Sequence, residues 1–201
     1  MKYVISRYNH DLTWLMDYTD DFIIYDRSEA HLEGSIVVQN IGSDIYDKFS
    51  FIIDNYDSLP DVAVYAKANL FKYISKEEFD KVKDNKTFTP LFTRNHPVDG
   101  DKALYYNDMY TEGGMIFYQK GGDIFWGEHK FRYNPLEIMN LMKVPPYTPL
   151  QFAPGSNYIL PKEHILKQPK ELYEKLRSYL DYAVYPPEAW VIERGLYTIW
   201  K

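Results

Sequence analysis

The chain has 201 residues, no cysteine and a formal net charge of −6, with acids and bases interspersed. A globular chain of this length buries roughly 70% of its unfolded surface and needs no staples, so one domain spanning residues 1–201 is expected. The composition excludes a disulfide framework and thiolate metal sites, and it argues against a nucleic-acid partner, which calls for a basic face.

The opening run MKYVISRYNHDLTWL lacks a long apolar stretch, so neither a signal peptide nor a membrane span is expected. Residues 3–8 (YVISRY) form a short strand ending in polar residues, and Asp11 is placed to cap a helical turn carrying Leu12, Leu15 and Met16. Residues 21–25 (DFIIY) and 35–39 (SIVVQ) form the next two strands, closed by the turn-like DRSE and by Asn40-Ile41-Gly42. All three are nearly continuous apolar runs, the pattern of strands buried on both faces of a parallel sheet. Phe49, Ile52, Ile53 and Tyr56 make one helical stripe over 47–56, Ser58-Leu59-Pro60 ends it, and DVAVYA (61–66) is a fourth buried strand. Strands and helices alternating in this way form a nucleotide-binding layout.

The middle of the chain is less regular. SKEEFDKVK (75–83) is a short surface helix with a capping box from Ser75 to Glu78. Short aromatic strands such as MIFYQ and DIFWG follow among Gly, Asn and Asp turns over 93–130, then a helix over 135–142. FAPGSNYILP (152–161) combines a turn and a strand; residues 169–183 form an amphipathic helix with Leu172, Leu176 and Leu180 four apart. Pro187 opens a last helix with the stripe Ala189, Ile192, Leu196 and Ile199.

In an open α/β sheet, ligands bind at the carboxyl ends of parallel strands. The residues there are Arg7-Tyr8-Asn9, Asp26-Arg27-Ser28, Asn40 with Gly42, and Lys67-Ala68-Asn69. Every exit is polar, which fits either a ligand crevice or ordinary solvent exposure. No P-loop, G-x-G-x-x-G or G-x-S-x-G occurs, which disfavours ATP hydrolysis, dinucleotide-type dehydrogenases and nucleophile-elbow hydrolases. His10, His31, His96, His129 and His164 show no paired metal-ligand spacing and are expected to be structural or surface residues. The 20 tyrosines admit two readings, a compositional bias of the genome or rings that stack on sugars and bases.

The runs VISRYNHDLTWL, IIYDRSE, QNIGSD and FIIDNYDSLPDVAVYAKAN, with FAPGSNYILPKEHILKQPKELYEKL and IERGLYTIW later, resemble a glycosyltransferase-like family of unknown function. Its members carry a similar series of "RYNEDLSWL", "NxGRE" and "YDNLPD" blocks. The same blocks are similar to the glycosyltransferases that large algal viruses encode to decorate their capsids. The resemblance covers about residues 3–70 and 150–200. It implies a GT-A-type α/β fold, with residues 1–70 as a Rossmann-like half for a nucleotide-sugar donor (UDP- or GDP-sugar) and 71–201 as a looser half for a glycan or glycoprotein acceptor. It also implies a cytoplasmic location, the host's if the chain is viral, and transfer with inversion.

Two departures bear on the chemistry. Ser43-Asp44 stands where the family has Arg-Glu, and Lys67-Ala68-Asn69 stands where GT-A enzymes carry a D-x-D for Mn²⁺ or Mg²⁺. Lys67 is therefore expected to neutralise the leaving diphosphate, or Asn69 to give a cation one oxygen ligand. The donor-binding set is then Arg7, Tyr8, Asn9, Asp26, Arg27, Asn40, Gly42, Asn69 and Arg194. Glu188, in the first turn of the last helix, is the expected general base, and Asp108, Glu112, Asp123 and Glu128 are rival carboxylates. The competing functions are a non-catalytic carbohydrate-binding module of the same fold and a nucleotide-processing hydrolase built on Asp26 and Asn40.

Overall fold

The computed structural model describes residues 1–92, 109–111, 115–117, 130–144 and 150–201. In chain order the strands are Lys2–Arg7 (β1), Phe22–Asp26 (β2), Ile36–Val37 (β3), Val62–Lys67 (β4), Thr89–Pro90 (β5), Met109–Thr111 (β6), Met115–Phe117 (β7), Leu150–Gln151 (β8) and Tyr158–Pro161 (β9). The helices are Ser43–Asp54 (α1), Lys76–Val82 (α2), Pro135–Leu141 (α3), Lys162–Ile165 (α4), Lys170–Ser178 (α5) and Glu188–Trp200 (α6).

Tyr3, Val4, Ile5 and Ser6 of β1 are all buried, so this strand must have cover on both faces and a neighbour on each side. It pairs in parallel with β2 and with β4. The whole sheet runs β3-β2-β1-β4-β9-β5, and β9 lies antiparallel to both of its neighbours. The chain is thus α/β, with a six-stranded mixed sheet, mostly parallel, flanked by helices. A separate antiparallel sheet has the order β6-β7-β8.

Alternating residues of β1 serve two cores. Val4 joins Tyr65 of β4 and the apolar faces of α1, α3, α5 and α6. Tyr3 and Ile5 face the opposite layer, where Leu12, Leu15, Leu70, Ile74 and Phe79 pack. The leucines of α5 and the stripe Ala189, Ile192, Leu196 and Ile199 of α6 are all buried in the first core. Ser75 caps α2 by accepting the Glu78 N–H at 3.1 Å. Among the described residues no helix is long and apolar enough to cross a membrane.

Two expectations need correction. The third strand is only Ile36–Val37, and its side chains are exposed; among the described residues it lies at the sheet edge, paired with β2. An apolar run does not distinguish such an edge from a central strand. The helix expected over 47–56 starts four residues earlier, at Ser43, where Gly42 takes the left-handed conformation (φ 70°) and turns the chain. The turn and the strand expected in 152–161 are both present: Gly155 and Ser156 hold positive φ in a tight turn, and Tyr158–Pro161 is the strand. The aromatic run DIFWG lies outside the described residues.

Trp200, fully buried, closes the first core by stacking on Tyr65 and donating its Nε1–H to the Tyr173 hydroxyl at 3.2 Å. Trp200→Ala is expected to lower the unfolding free energy by about 3–5 kcal/mol, the range for large aromatic deletions, as measured by urea titration.

Candidate functional site

The strand order creates a crevice. From β1 the chain steps outward to β2 and β3, then returns through α1 to β4 on the other side of β1. The loops leaving the carboxyl ends of β1 and β4 therefore part company, which is where open α/β sheets bind ligands. An open cleft of about 160 Å³ lies there. Arg7, Tyr8 and His10 line it from the β1 exit, Lys67, Asn69 and Tyr73 from the β4 exit, and Asn40, Ser43 and Asp44 from the approach to α1. The two exits are tied together by Trp14, which donates its indole N–H to the Ala68 carbonyl at 2.8 Å.

Arg7 is held from behind. Its Nη1 reaches both Asp26 oxygens (2.9 and 2.7 Å) and the Ser28 hydroxyl, while Nε donates to the His10 carbonyl. Asp26 is wholly buried and also accepts the Ser28 and Leu32 N–H groups. Burial opposes its charge, but the hydrogen bonds from Ser28, Leu32 and Arg7 prevail and bring its pKa from 3.8 down to about 2. Asp26 thus fixes Arg7 and does not itself line the cleft.

Arg27 touches the cleft, yet its nitrogens are committed elsewhere. Nε and Nη2 grip Asp47 at 2.9 and 2.6 Å, and Nη1 donates to the Ile41 carbonyl at 2.6 Å. Its role is to anchor α1. Gly42 is likewise a turn residue. Its N–H and that of Ser43 bond the carbonyls of Ala183 and Val184, which places the exposed Tyr185 on the cleft rim. A Cβ at Gly42 would come within 2.7 Å of Tyr46 Cβ.

Below the cleft sits a cluster of charges. Asp44 pairs with Lys48, accepts the Ser156 hydroxyl at 2.5 Å and the Ser43 hydroxyl at 2.9 Å, and faces Lys67 Nζ at 3.0 Å. Burial pushes the Asp44 carboxyl up, but Lys48 and Lys67 together hold it far below the usual carboxylate range. Burial pulls Lys67 down, and Asp44 more than reverses this, so Lys67 is firmly cationic. Lys48, with no exposed surface, is lowered by burial against the pull of Asp44. Asn157 fixes the end of β4 by accepting the Lys67 N–H at 2.9 Å.

Two expected site residues lie away from the cleft lining. Glu188 is fully buried: Oε1 accepts the N–H groups of Arg132 and Tyr133, both at 2.8 Å, and Oε2 accepts the Tyr182 hydroxyl. Its carboxylate is a brace between α6 and residues 132 and 133 and does not line the cleft, contrary to the general-base expectation. Arg194 is also buried, with Nη1 donating to the Trp190 carbonyl and the guanidinium over the Phe152 ring, and it is not among the residues that line the cleft. Asn9 is an exposed residue of left-handed φ (53°) beside the cleft. Asp108, Glu112, Asp123 and Glu128 lie outside the described residues.

Sequence reasoning missed His10, Asp44, Lys48, Tyr73, Ser156 and Tyr185. Only Asp44 and Lys48 carry a local signal, an acid and a base four apart at a helix start. A divalent cation needs several oxygen ligands. The carboxylate that lines the cleft among the described residues, Asp44, is already taken by two lysines, so these residues do not fit such an ion. No protein-family model, curated protein or solved structure matches this chain.

The low pKa of Asp26 makes a pH prediction. Its stabilisation is complete above the unfolded value of 3.8 and is lost as pH falls through about 2. Across that window the wild type should lose about 2 kcal/mol of unfolding free energy that Asp26→Asn does not lose, as read by urea titrations at each pH.

Proposed function

We propose that this protein is a glycosyltransferase that moves a sugar from a nucleotide-sugar donor, with UDP or GDP as the leaving group, to a glycan or glycoprotein acceptor. The observation that carries the proposal is the pair of cations, Arg7 and Lys67, at the carboxyl ends of β1 and β4, in the crevice where the strand order reverses. The blocks that resemble the glycosyltransferase-like family contain these same residues, VISRYNHDLTWL around Arg7 and YAKAN around Lys67.

Sugar transfer builds negative charge on the departing diphosphate, and fixed cations stabilise it. Lys67 supplies that charge directly. Sites that enclose whole organic ligands measure roughly 300–1,000 Å³. The cleft among the described residues, about 160 Å³, is below that range, so only part of a nucleotide sugar would sit in it. Tyr8 and Tyr185, both exposed at the rim, offer ring faces to the base or sugar. The acceptor proton needs a base, and His10 is the lining side chain suited to take it, since Asp44 is neutralised by two lysines.

That neutralised carboxylate also favours a second reading, a carbohydrate-binding module without catalysis. Calorimetric titration with UDP- and GDP-sugars, with and without Mn²⁺, separates the two. A transferase binds the nucleotide, whereas a binding module prefers free glycan and ignores it.

Lys67→Ala is expected to cut turnover at least tenfold, about 1.4 kcal/mol of barrier. Unchanged turnover in a donor-hydrolysis or transfer assay would remove Lys67 from the mechanism. His10→Gln should leave donor binding intact and slow transfer by about 10²–10⁴-fold, the usual contribution of a general base; a near wild-type rate means that another group takes the proton.

A further inference from the structure

The two oxygens of Asp44 serve different sides of the molecule. Oδ2 faces inward to Lys48 and the Ser156 hydroxyl, while Oδ1 faces Lys67 and the Ser43 hydroxyl. Lys48 has no exposed side-chain surface, whereas the Lys67 side chain is 24% exposed and lines the cleft. Lys67 Nζ also lies 5.4 Å from the centre of the Tyr73 ring, whose face is a second resting place for an ammonium group within the cleft.

A buried carboxylate with one cationic partner cannot release it, because the remaining charge is stranded in a poorly solvating interior. Asp44 has two. If Lys67 turns toward an anion in the cleft, Lys48 and Ser156 still neutralise Asp44. The inward partners are rigidly held. Lys48 Nζ donates to the Ser156 hydroxyl at 2.7 Å, and Ser156 sits at φ 54°, a strained conformation for a residue other than glycine. Its neighbour Gly155 has its N–H fixed by Glu193 at 2.7 Å, and a side chain there would strike Tyr73 at 2.7 Å.

We infer that Asp44 is a shared counter-ion from which Lys67 is handed over to an incoming phosphate-bearing anion, and that Lys48 is the positioning residue that makes the hand-over affordable. This rests on the reading that the cleft takes the donor diphosphate. Lys48 itself touches no ligand. It acts by keeping Asp44 from holding Lys67 back.

The test is a cycle of variants titrated calorimetrically with inorganic pyrophosphate and with UDP, with circular dichroism to measure the folded fraction. Lys48→Met should weaken both ligands at least tenfold, because Asp44 then keeps Lys67, and Lys48→Arg should rescue them. Asp44→Asn should bind them as tightly as the wild type or tighter. The double variant Asp44→Asn/Lys48→Met, which removes both buried charges and so retains its fold even where Lys48→Met does not, should match Asp44→Asn. A double variant weaker than Asp44→Asn would show that Lys48 attracts the anion directly, and would overturn the hand-over. So would a Lys48→Met protein that is less stable yet binds pyrophosphate normally. A wild type that binds neither pyrophosphate nor UDP overturns the donor reading itself, and this inference with it.

Discussion

The buried Arg27–Asp47 pair decides where α1 stands, and the cleft follows from that. Arg27 leaves the end of β2 and grips Asp47 with two nitrogens while its third holds the Ile41 carbonyl just before the helix. The first turn of α1 is thereby pinned over the carboxyl edge of the sheet. Asp44 and Lys48, one turn apart on the same helix, then fall where Lys67 can meet them. Neither member of the Arg27–Asp47 pair has appreciable solvent contact, so each depends on the other for its charge to be tolerated. Losing either one would displace the helix start, and with it three of the groups around the cleft.

The same cleft shows how charge can be dense yet ordered. Arg7 and Arg27 follow adjacent strands and look alike in sequence. Arg7 is braced by Asp26 and Ser28 from behind and presents an edge to the cleft, whereas Arg27 spends its nitrogens on the fold. The distinction lies in whether the carboxylate partner sits behind the cation or encloses it.

The sheet and its main helices were legible in the chain because apolar runs and stripes are local signals: DFIIY, DVAVYA and the leucines of 172, 176 and 180 each declare their element within a few residues. The position of the crevice was legible too, since it follows from polar strand exits and the order of elements. The roles of single side chains were not. Glu188 has the appearance of a free acid in a first turn, but residues 132 and 133, more than fifty positions earlier, enclose it. Lys48 resembles one more surface lysine on a helix until the 155–156 turn is folded against it. Ile36 and Val37 have the composition of a buried strand and are exposed, at the edge of the sheet among the described residues. In each case the deciding partner is distant in sequence.

The antiparallel strand β9 carries a kinetic consequence. The groups that complete the charge cluster arrive on the turn that leads into it: Asn157 meets Lys67 across 90 residues, and Ser156 meets Lys48 across 108. Contacts of such sequence separation form late, since loop closure must precede any reward. The parallel core of β1, β2 and β4 draws only on the first third of the chain and can assemble sooner. Until β9 slots in beside β4, Lys48 has no partner but Asp44, and the floor of the cleft is unfinished. The floor of the cleft therefore depends on residues far apart in the chain.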